Sequence, residues 1–427
     1  MTPNWQQRVV VGVASVMLVT ACTSNSGGTT TVTDETTATT VPGGSSPGST
    51  QVQETKLLVW ADEARGPVIE AAAERFEAAS GIVVEVEVMP FREIRAAVLA
   101  AVPAGEGPDL FIDSNEGTGA LVEAGVVAPL DLAIRESEFV PVALDAFAYG
   151  GDIYAMPFVT EAVGLFYNKD LVQQPPADFE ALRNVCDGLG LPSTDGSPCL
   201  AIPAGEPLHQ FPFLAGFGGY VFGFGDRSYD LTDVGIGTPE AIAGATFLND
   251  LYRDGYADGA VDYSTMADLF NQGAVPFMWT GPWQVEAVNA AGINYGIAKL
   301  PGLSGQPARP LVGSQGFFLN AMSDIPETAM SLLLDYIATT ETMVQLSVAT
   351  MRPPAVLSAL AEGSIDSNMA AFGASAADGV PLPNIPEMET VWGPLTEAFN
   401  GLSGVTGDPA AIMAAADESV RQALGTG

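Results

Sequence analysis

The sequence predicts an α/β fold in two lobes, joined by more than one crossing of the chain. Three observations predict it. Residues 56–113 read strand, helix, strand, helix, strand, an order that implies a parallel sheet with helices on its faces. A second unit opens with a strand at Val163–Tyr167. Much later, Gly313–Leu319 reads as a strand returning to the first unit. The 427 residues, 47% of them hydrophobic, suffice for two cores.

Lys56–Trp60 is β-branched and aromatic, hence a strand. Pro67–Ser80 repeats apolar residues at helical spacing, and Gly81 stops it. Ile82–Val88 alternates Val and Glu, giving a strand with one exposed face. Arg92–Val102 is a second helix, and Asp109–Asp113 a buried strand closed by the polar turn Ser114–Gly117. In such sheets ligands bind beyond the carboxyl ends of the strands. Attention therefore falls on residues 62–65 and 113–116. In the second unit Phe179–Cys186, Pro239–Asp254 and Met266–Asn271 read as helices. Leu200–Ile202, Ala274–Trp279 and Ile293–Ala298 read as strands, and residues 205–207 as a turn. Glu327–Thr339 and residues 409–424 are the last helices expected.

The first 21 residues read as an address. Arg8 precedes an apolar run, Val9–Val19, too short to span a membrane comfortably. The run ends in Val19-Thr20-Ala21-Cys22, which looks like a bacterial lipobox with Cys22 as the lipidated residue. The alternative is an ordinary signal peptide with a chance cysteine. Thr23–Gln53 is dominated by Thr, Ser, Gly and Pro, too poor in apolar surface to fold, and residues 22–55 read as a disordered tether. Anchor, tether and globular body predict export to the outer face of the cytoplasmic membrane. The formal net charge of −36 argues against nucleic acid and against docking on anionic lipid through a basic patch. Cys186 and Cys199 lie in one Pro/Gly-rich loop and are expected to form a disulfide in an oxidising compartment. With one His and no cysteine besides Cys22 and this pair, no metal site is expected.

Residues 156–170 hold a single acid, Glu161, among small and apolar residues before a strand. Such an acid is either a satisfied structural group or a ligand contact. The rest of the chain weighs on that choice. Lys-Leu-Leu-Val-Trp60 with a turn at Gly66, Gly-Glu-Gly-Pro-Asp109, Glu161 with Tyr-Asn-Lys-Asp170, Asn271 with Gly273, Gly-Pro-Trp283, Gly-Gln-Pro307 and Pro-Asn-Ile-Pro386 follow one another from Lys56 onward. Together they resemble the maltose/maltodextrin-binding proteins, among the extracellular solute-binding proteins (family 1) of bacterial ABC sugar importers.

The resemblance implies a two-lobed periplasmic-binding-protein fold with two mixed or parallel sheets and a multi-segment hinge. The lobes would be 56–160 plus 314–365, and 161–313 plus 366–427. It implies a sugar, maltose, maltodextrin or a related oligosaccharide, held in the cleft by Arg65, Asp113, Glu116, Glu161, Glu206, Trp283 and Trp392. Glu63 and His209 are weaker candidates. Three positions depart from the family. Its loop aromatic falls at Asp113, its arginine at Gly117, and the tyrosine after its Glu-Pro at Leu208. A monomer is expected, with no cofactor, and with membrane permease subunits as partners.

The residue set suits a sugar. Carboxylates accept two hydroxyl protons at once in charge-assisted bonds. An arginine offers a complementary donor fork, and tryptophan a flat face for C–H patches. Trp60, ending a buried strand, reads as core. Met266 and Met278 read as filler. Ligand bridging the lobes would shift an open–closed equilibrium. The chain carries no Gly-Lys-Ser/Thr phosphate loop, so ATP hydrolysis would belong to partners. A carbohydrate hydrolase using paired cleft carboxylates is the alternative from another class, and a structural surface lipoprotein a third.

Overall fold

The computed structural model describes residues 56–193, 196–362 and 365–426; the expected leader (1–21), Cys22 and the tether (22–55) lie outside the described residues. The first strand, β1 (Lys56–Ala61), is buried from Leu57 onward. Helix α1 (Gly66–Ser80) starts at a proline and stops at Gly81, whose φ of 76° lets its N–H close on Glu77. There follow β2 (Val83–Val88), α2 (Phe91–Ala101) and β3 (Leu110–Ser114). A tight turn, Asn115–Gly117, leads into α3 (Thr118–Glu123), β4 (Val127–Ala128) and α4 (Pro141–Asp145). A small hairpin, β5 (Ala148–Tyr149) with β6 (Asp152–Ile153), precedes β7 (Ala155–Glu161).

The second lobe runs β8 (Gly164–Asn168), α5 (Phe179–Gly188), β9 (Leu200–Ala201), α6 (Pro207–Gly216) and the hairpin β10 (Phe222–Gly225) with β11 (Ser228–Val234). It continues through α7 (Pro239–Arg253), α8 (Tyr263–Asn271), β12 (Phe277–Thr280), α9 (Val285–Ala291) and β13 (Tyr295–Ala298). Cys186, near the end of α5, and Cys199, just before β9, are disulfide-bonded. The chain then returns as β14 (Leu311–Asn320), α10 (Pro326–Ser331), a π-helical stretch Leu332–Ile337, α11 (Thr340–Thr350) and α12 (Leu357–Leu360). It ends with α13 (Ser367–Asp378), β15 (Val380–Pro381), α14 (Glu389–Ser403) and α15 (Pro409–Leu424). Helix α6 stands where the sequence suggested a turn, and α14 where no helix was expected. Each contains a proline, Pro212 and Pro394, which masks a helical pattern.

The first sheet is mixed. β1 pairs in parallel with β2 and β3, but β14 enters antiparallel to β3, β4 and β7. The second sheet has the order β13-β8-β12-β9. Each sheet carries its own core. In the first, Phe111 stacks on Phe318 with centroids 5.3 Å apart, and Trp60 is buried as expected. In the second, Trp279 stacks on Phe213 at 5.0 Å.

The chain leaves the first core after Val159 and joins the second at Val163; it comes back between Leu311 and Phe317, and leaves again between Ala359 and Leu382. The three crossings lie side by side. Gly313 pairs with Glu161, and Leu311 and Val312 pair with Val380 and Pro381. Asn115 ties them to the loop after β3. Its amide donates to Leu382 O at 3.0 Å and accepts from Ser314 N at 2.9 Å. The β10–β11 hairpin adds a brace. At its tip Arg227 forms an ion pair with Glu136 and accepts a hydrogen bond from Gly151 N at 3.2 Å.

Candidate ligand-binding cleft

Where the crossings meet the two sheets there is a cavity of about 180 Å³. On the first-lobe side it is lined by Ser114, Asn115, Glu116 and Glu161. On the second-lobe side Leu208, Trp283 and Trp392 line it. Val163, Leu311 and Leu382, all on crossings, form the floor. A larger groove of about 620 Å³ lies between the β10–β11 hairpin and α4, with Leu311 lining both. Volume does not choose between them. The smaller cavity alone combines carboxylates of one lobe with tryptophans of the other, the apolar walls and few fixed polar groups that hold small ligands.

Glu161 ends β7, and its position is set by a chain of charges. Its Oε1 accepts from Gln315 Nε2 at 2.6 Å and from Arg352 Nε. Gln315 Oε1 accepts in turn from Arg65 Nη2, whose Nη1 donates to Asp62. Arg352 Nη1 also donates to Thr350 O at 2.7 Å. One Glu161 oxygen is thus held by two donors, and the other is without a partner among the described residues. Arg65 lies over the rings of Phe91 and Phe158, 4.6 and 5.6 Å from their centroids. Burial pulls its guanidinium below the ordinary value, with the Asp62 charge pushing back.

Glu116 sits in the turn after β3. It is exposed in surface terms but stands within the cleft walls. Their bulk raises its carboxyl above the ordinary value. Arg95 pulls it down, and Glu161, Asp113 and Glu389 push it further up. Asp113 is 3% exposed and faces α2. Its two oxygens accept from Arg95 Nε at 2.6 Å and Nη2 at 3.0 Å. Burial raises the Asp113 carboxyl despite those bonds. Burial works against the Arg95 charge as well, but Asp113 outweighs it and the guanidinium is raised.

The second wall is built differently. Trp283 follows β12 in a short turn, and Trp392 lies in the first turn of α14; both are half-buried. His209 on α6 is 3% exposed. It contacts Trp283 and Tyr263 edge to face, with centroids 6.1 and 5.7 Å away. Its Nε2 is 3.2 Å from Thr280 Oγ1, while Nδ1 has no partner among the described residues. Burial pushes its pKa down to about 4, so it is neutral near pH 7.

Of the expected contact residues, Glu116, Glu161, Trp283 and Trp392 line the cavity. Five do not. Arg65 is enclosed by Asp62 and Gln315 and reaches the cavity only through Gln315 and Glu161. Asp113 is turned to Arg95. His209 is buried behind Trp283. Glu206 is exposed at the start of α6, where Leu208 reaches the wall instead. Glu63 is exposed in the turn before α1. Sequence reasoning missed Arg95, Gln315 and Arg352. Their partners are 18, 154 and 191 residues away, beyond any periodicity. The departures at Asp113 and Gly117 were the available signal, because they mark where a different side chain must fit.

Two cores, three adjacent crossings and an acid-and-tryptophan cavity between them define a two-lobed ligand-binding protein. The chain belongs to the bacterial extracellular solute-binding proteins, a family that matches residues 71–373. It is 28% identical over 392 residues to the galactooligosaccharide-binding protein of Bacillus subtilis (strain 168), covering 89% of this chain and 92% of the relative. It is 30% identical over 321 residues to the maltotriose-binding protein of Pyrococcus abyssi, covering 72% and 68%. Among solved structures, a cyclo/maltodextrin-binding protein complexed with maltotetraose superposes with a TM-score of 0.80 at 27% identity, over 86% of this chain and 96% of that one. The two-lobed α/β fold expected from the sequence is the fold found.

Proposed function

We propose that the protein captures a neutral oligosaccharide, of the maltodextrin or galacto-oligosaccharide kind, between its lobes and hands it to the permease of an ABC importer. One observation carries this reading: Glu116 and Glu161 face Trp283 and Trp392 across one cavity. Hydroxyls of the ligand would donate to the carboxylates, and its C–H faces would lie on the tryptophans. The relatives' names support the ligand class: one binds galacto-oligosaccharides, another maltotriose. Lobes of 56–160 with 314–365, and 161–313 with 366–427, would close about the three crossings, and the closed form would be what the permease reads.

Anchoring through a lipid on Cys22 fits this role, and relatives in Streptococcus pneumoniae are named solute-binding lipoproteins. A hydrolase would need carboxylates flanking the scissile bond. Glu116 and Glu161 both project from the first-lobe side, after β3 and at the end of β7, which favours binding without turnover. The test is a thermal-shift series of the full-length chain with maltose, maltotriose, maltotetraose and a galacto-oligosaccharide. A saturable rise in Tm is expected for at least one, since a ligand bound only by the native state stabilises it. No rise with any of them would overturn the reading, as would release of shorter sugars on incubation.

A further inference from the structure

Gly117 is a glycine for lack of space, since its φ of −81° is one that any residue adopts. A Cβ added there would come within 2.4 Å of Arg95 Nε and 2.6 Å of Asp113 Oδ2. The Arg95–Asp113 pair therefore fills the volume that a side chain at position 117 would occupy. The pair is ordered by three bonds: two to the Asp113 carboxylate and one from Arg95 Nη2 to Ser114 Oγ at 2.9 Å. Asp113 is fixed further by Ser114 N at 2.8 Å. Ser114 and Glu116, on either side of this arrangement, line the cavity. The Arg95 side chain is 35% exposed, and with Nε and Nη2 engaged, its Nη1 is left without a partner among the described residues.

Resting on the sugar-binding reading, we propose that Arg95 is a ligand-contacting, specificity-determining residue: its Nη1 donates to a hydroxyl or ring oxygen of the bound saccharide, and Gly117 is required to admit it. The guanidinium charge is balanced by Asp113, and Glu116 and Glu161 remain in the same wall. The subsite therefore suits a neutral saccharide oxygen rather than a carboxylate or phosphate. It reads the ligand by a fixed donor in place of a stacking ring, so it distinguishes sugars by where an oxygen stands.

The experiment is titration calorimetry of the full-length chain and its Arg95→Lys, Arg95→Ala and Gly117→Ala variants with maltotriose and with a galacto-oligosaccharide. Lys keeps the charge beside Asp113 but has a single nitrogen, so it cannot pair side-on with the carboxylate and present a second, fixed nitrogen to the ligand. Gly117→Ala pushes a methyl group into the pair without touching Arg95 chemically. Expected is a loss of about tenfold to hundredfold in affinity for the better ligand in Arg95→Lys and Gly117→Ala. The loss should be unequal for the two sugars, so that their affinity ratio changes; a merely structural role would weaken both alike. If Arg95→Ala fails to fold, the other two variants decide. Folded variants with wild-type affinities, or with both affinities lowered by one common factor, overturn the inference and leave sugar binding standing. A wild-type chain that binds neither sugar sinks the sugar-binding reading, and this inference with it.

Discussion

The two walls of the cleft are made on opposite principles. The first-lobe wall is charged, and most of its charges are held in hydrogen-bonded chains. Asp62, Arg65, Gln315, Glu161 and Arg352 form one chain, and Arg95 with Asp113 a second. The second-lobe wall is aromatic and uncharged, with Trp283 and Trp392 in front and a neutral His209 behind. Bonds between fixed charges have direction, so the first wall can select. Ring faces have area and little direction, so the second wall can hold a ligand without discriminating closely. Substitutions in the first wall should therefore disturb stability and selectivity together. Those in the second should change affinity alone.

The largest expected effect breaks the aromatic wall. Trp283→Ala and Trp392→Ala should each cost about 2 kcal/mol of binding, the threshold for residues that dominate an interface. Combined, they should lower affinity by roughly a thousandfold. Both side chains are half-buried, so Tm should barely move. Calorimetry beside thermal melts would expose an error: unfolding with affinity intact would make these rings part of the core.

The second effect concerns what lies behind that wall. Unfolded, an imidazole titrates near 6.5; in the folded chain burial pushes His209 down to about 4. Between those values the unfolded chain binds the extra proton, so stability falls as pH drops through the window. The loss is on the order of 3 kcal/mol. Glu116 and Asp113, whose folded values are raised, act in the opposite sense. The measurement is therefore the difference in denaturant stability between wild type and His209→Gln from pH 7 to 4. That difference should shrink toward pH 4, and a flat difference would mean that the ring is not held neutral.

A third substitution sharpens the contrast from the charged side. Glu161→Ala should lose about 1.5–3 kcal/mol of sugar affinity. It should also lower stability by about 2 kcal/mol, because Arg352 and Gln315 are left without their acceptor. Each partner of the Glu161–Arg352 pair keeps roughly a quarter of its side chain exposed (24% and 23%), which sets this below the figure for a fully buried pair. Lowered stability at unchanged affinity would return Glu161 to a purely structural role.

How legible all this was in the sequence follows the same division. The first-lobe strands and helices could be read because their periods are local: Val83–Val88 alternates, and residues 67–80 repeat at helical spacing. Trp283, Trp392, Glu116 and Glu161 could be singled out because the family resemblance implies a ligand contact at each, in or shortly after its ordered motifs. Helices α6 and α14 were hidden by Pro212 and Pro394. α6 is also apolar nearly all round, a pattern that buries every face and leaves no stripe. The charge chains were not legible at all. Whether Arg65 faces a ligand or Gln315 depends on a strand 250 residues away, and Asp113 could be assigned to Arg95 only once α2 was laid beside β3. The strands of residues 56–113 pair in parallel as expected, while the direction in which the returning β14 joins them was left open, since a returning strand can pair in either direction.

The central claim is that one oligosaccharide bridges the charged wall and the aromatic wall. Titration of intrinsic tryptophan fluorescence in the full-length chain with maltotriose and a galacto-oligosaccharide tests it most directly, because Trp283 and Trp392 line the cavity while Trp60 and Trp279 are buried in the two cores. A saturable change at one ligand per chain is predicted, reduced by Trp283→Phe and by Trp392→Phe and weakened in affinity by Glu161→Ala. No saturable change with either sugar, or a response that survives both phenylalanine substitutions, would contradict it.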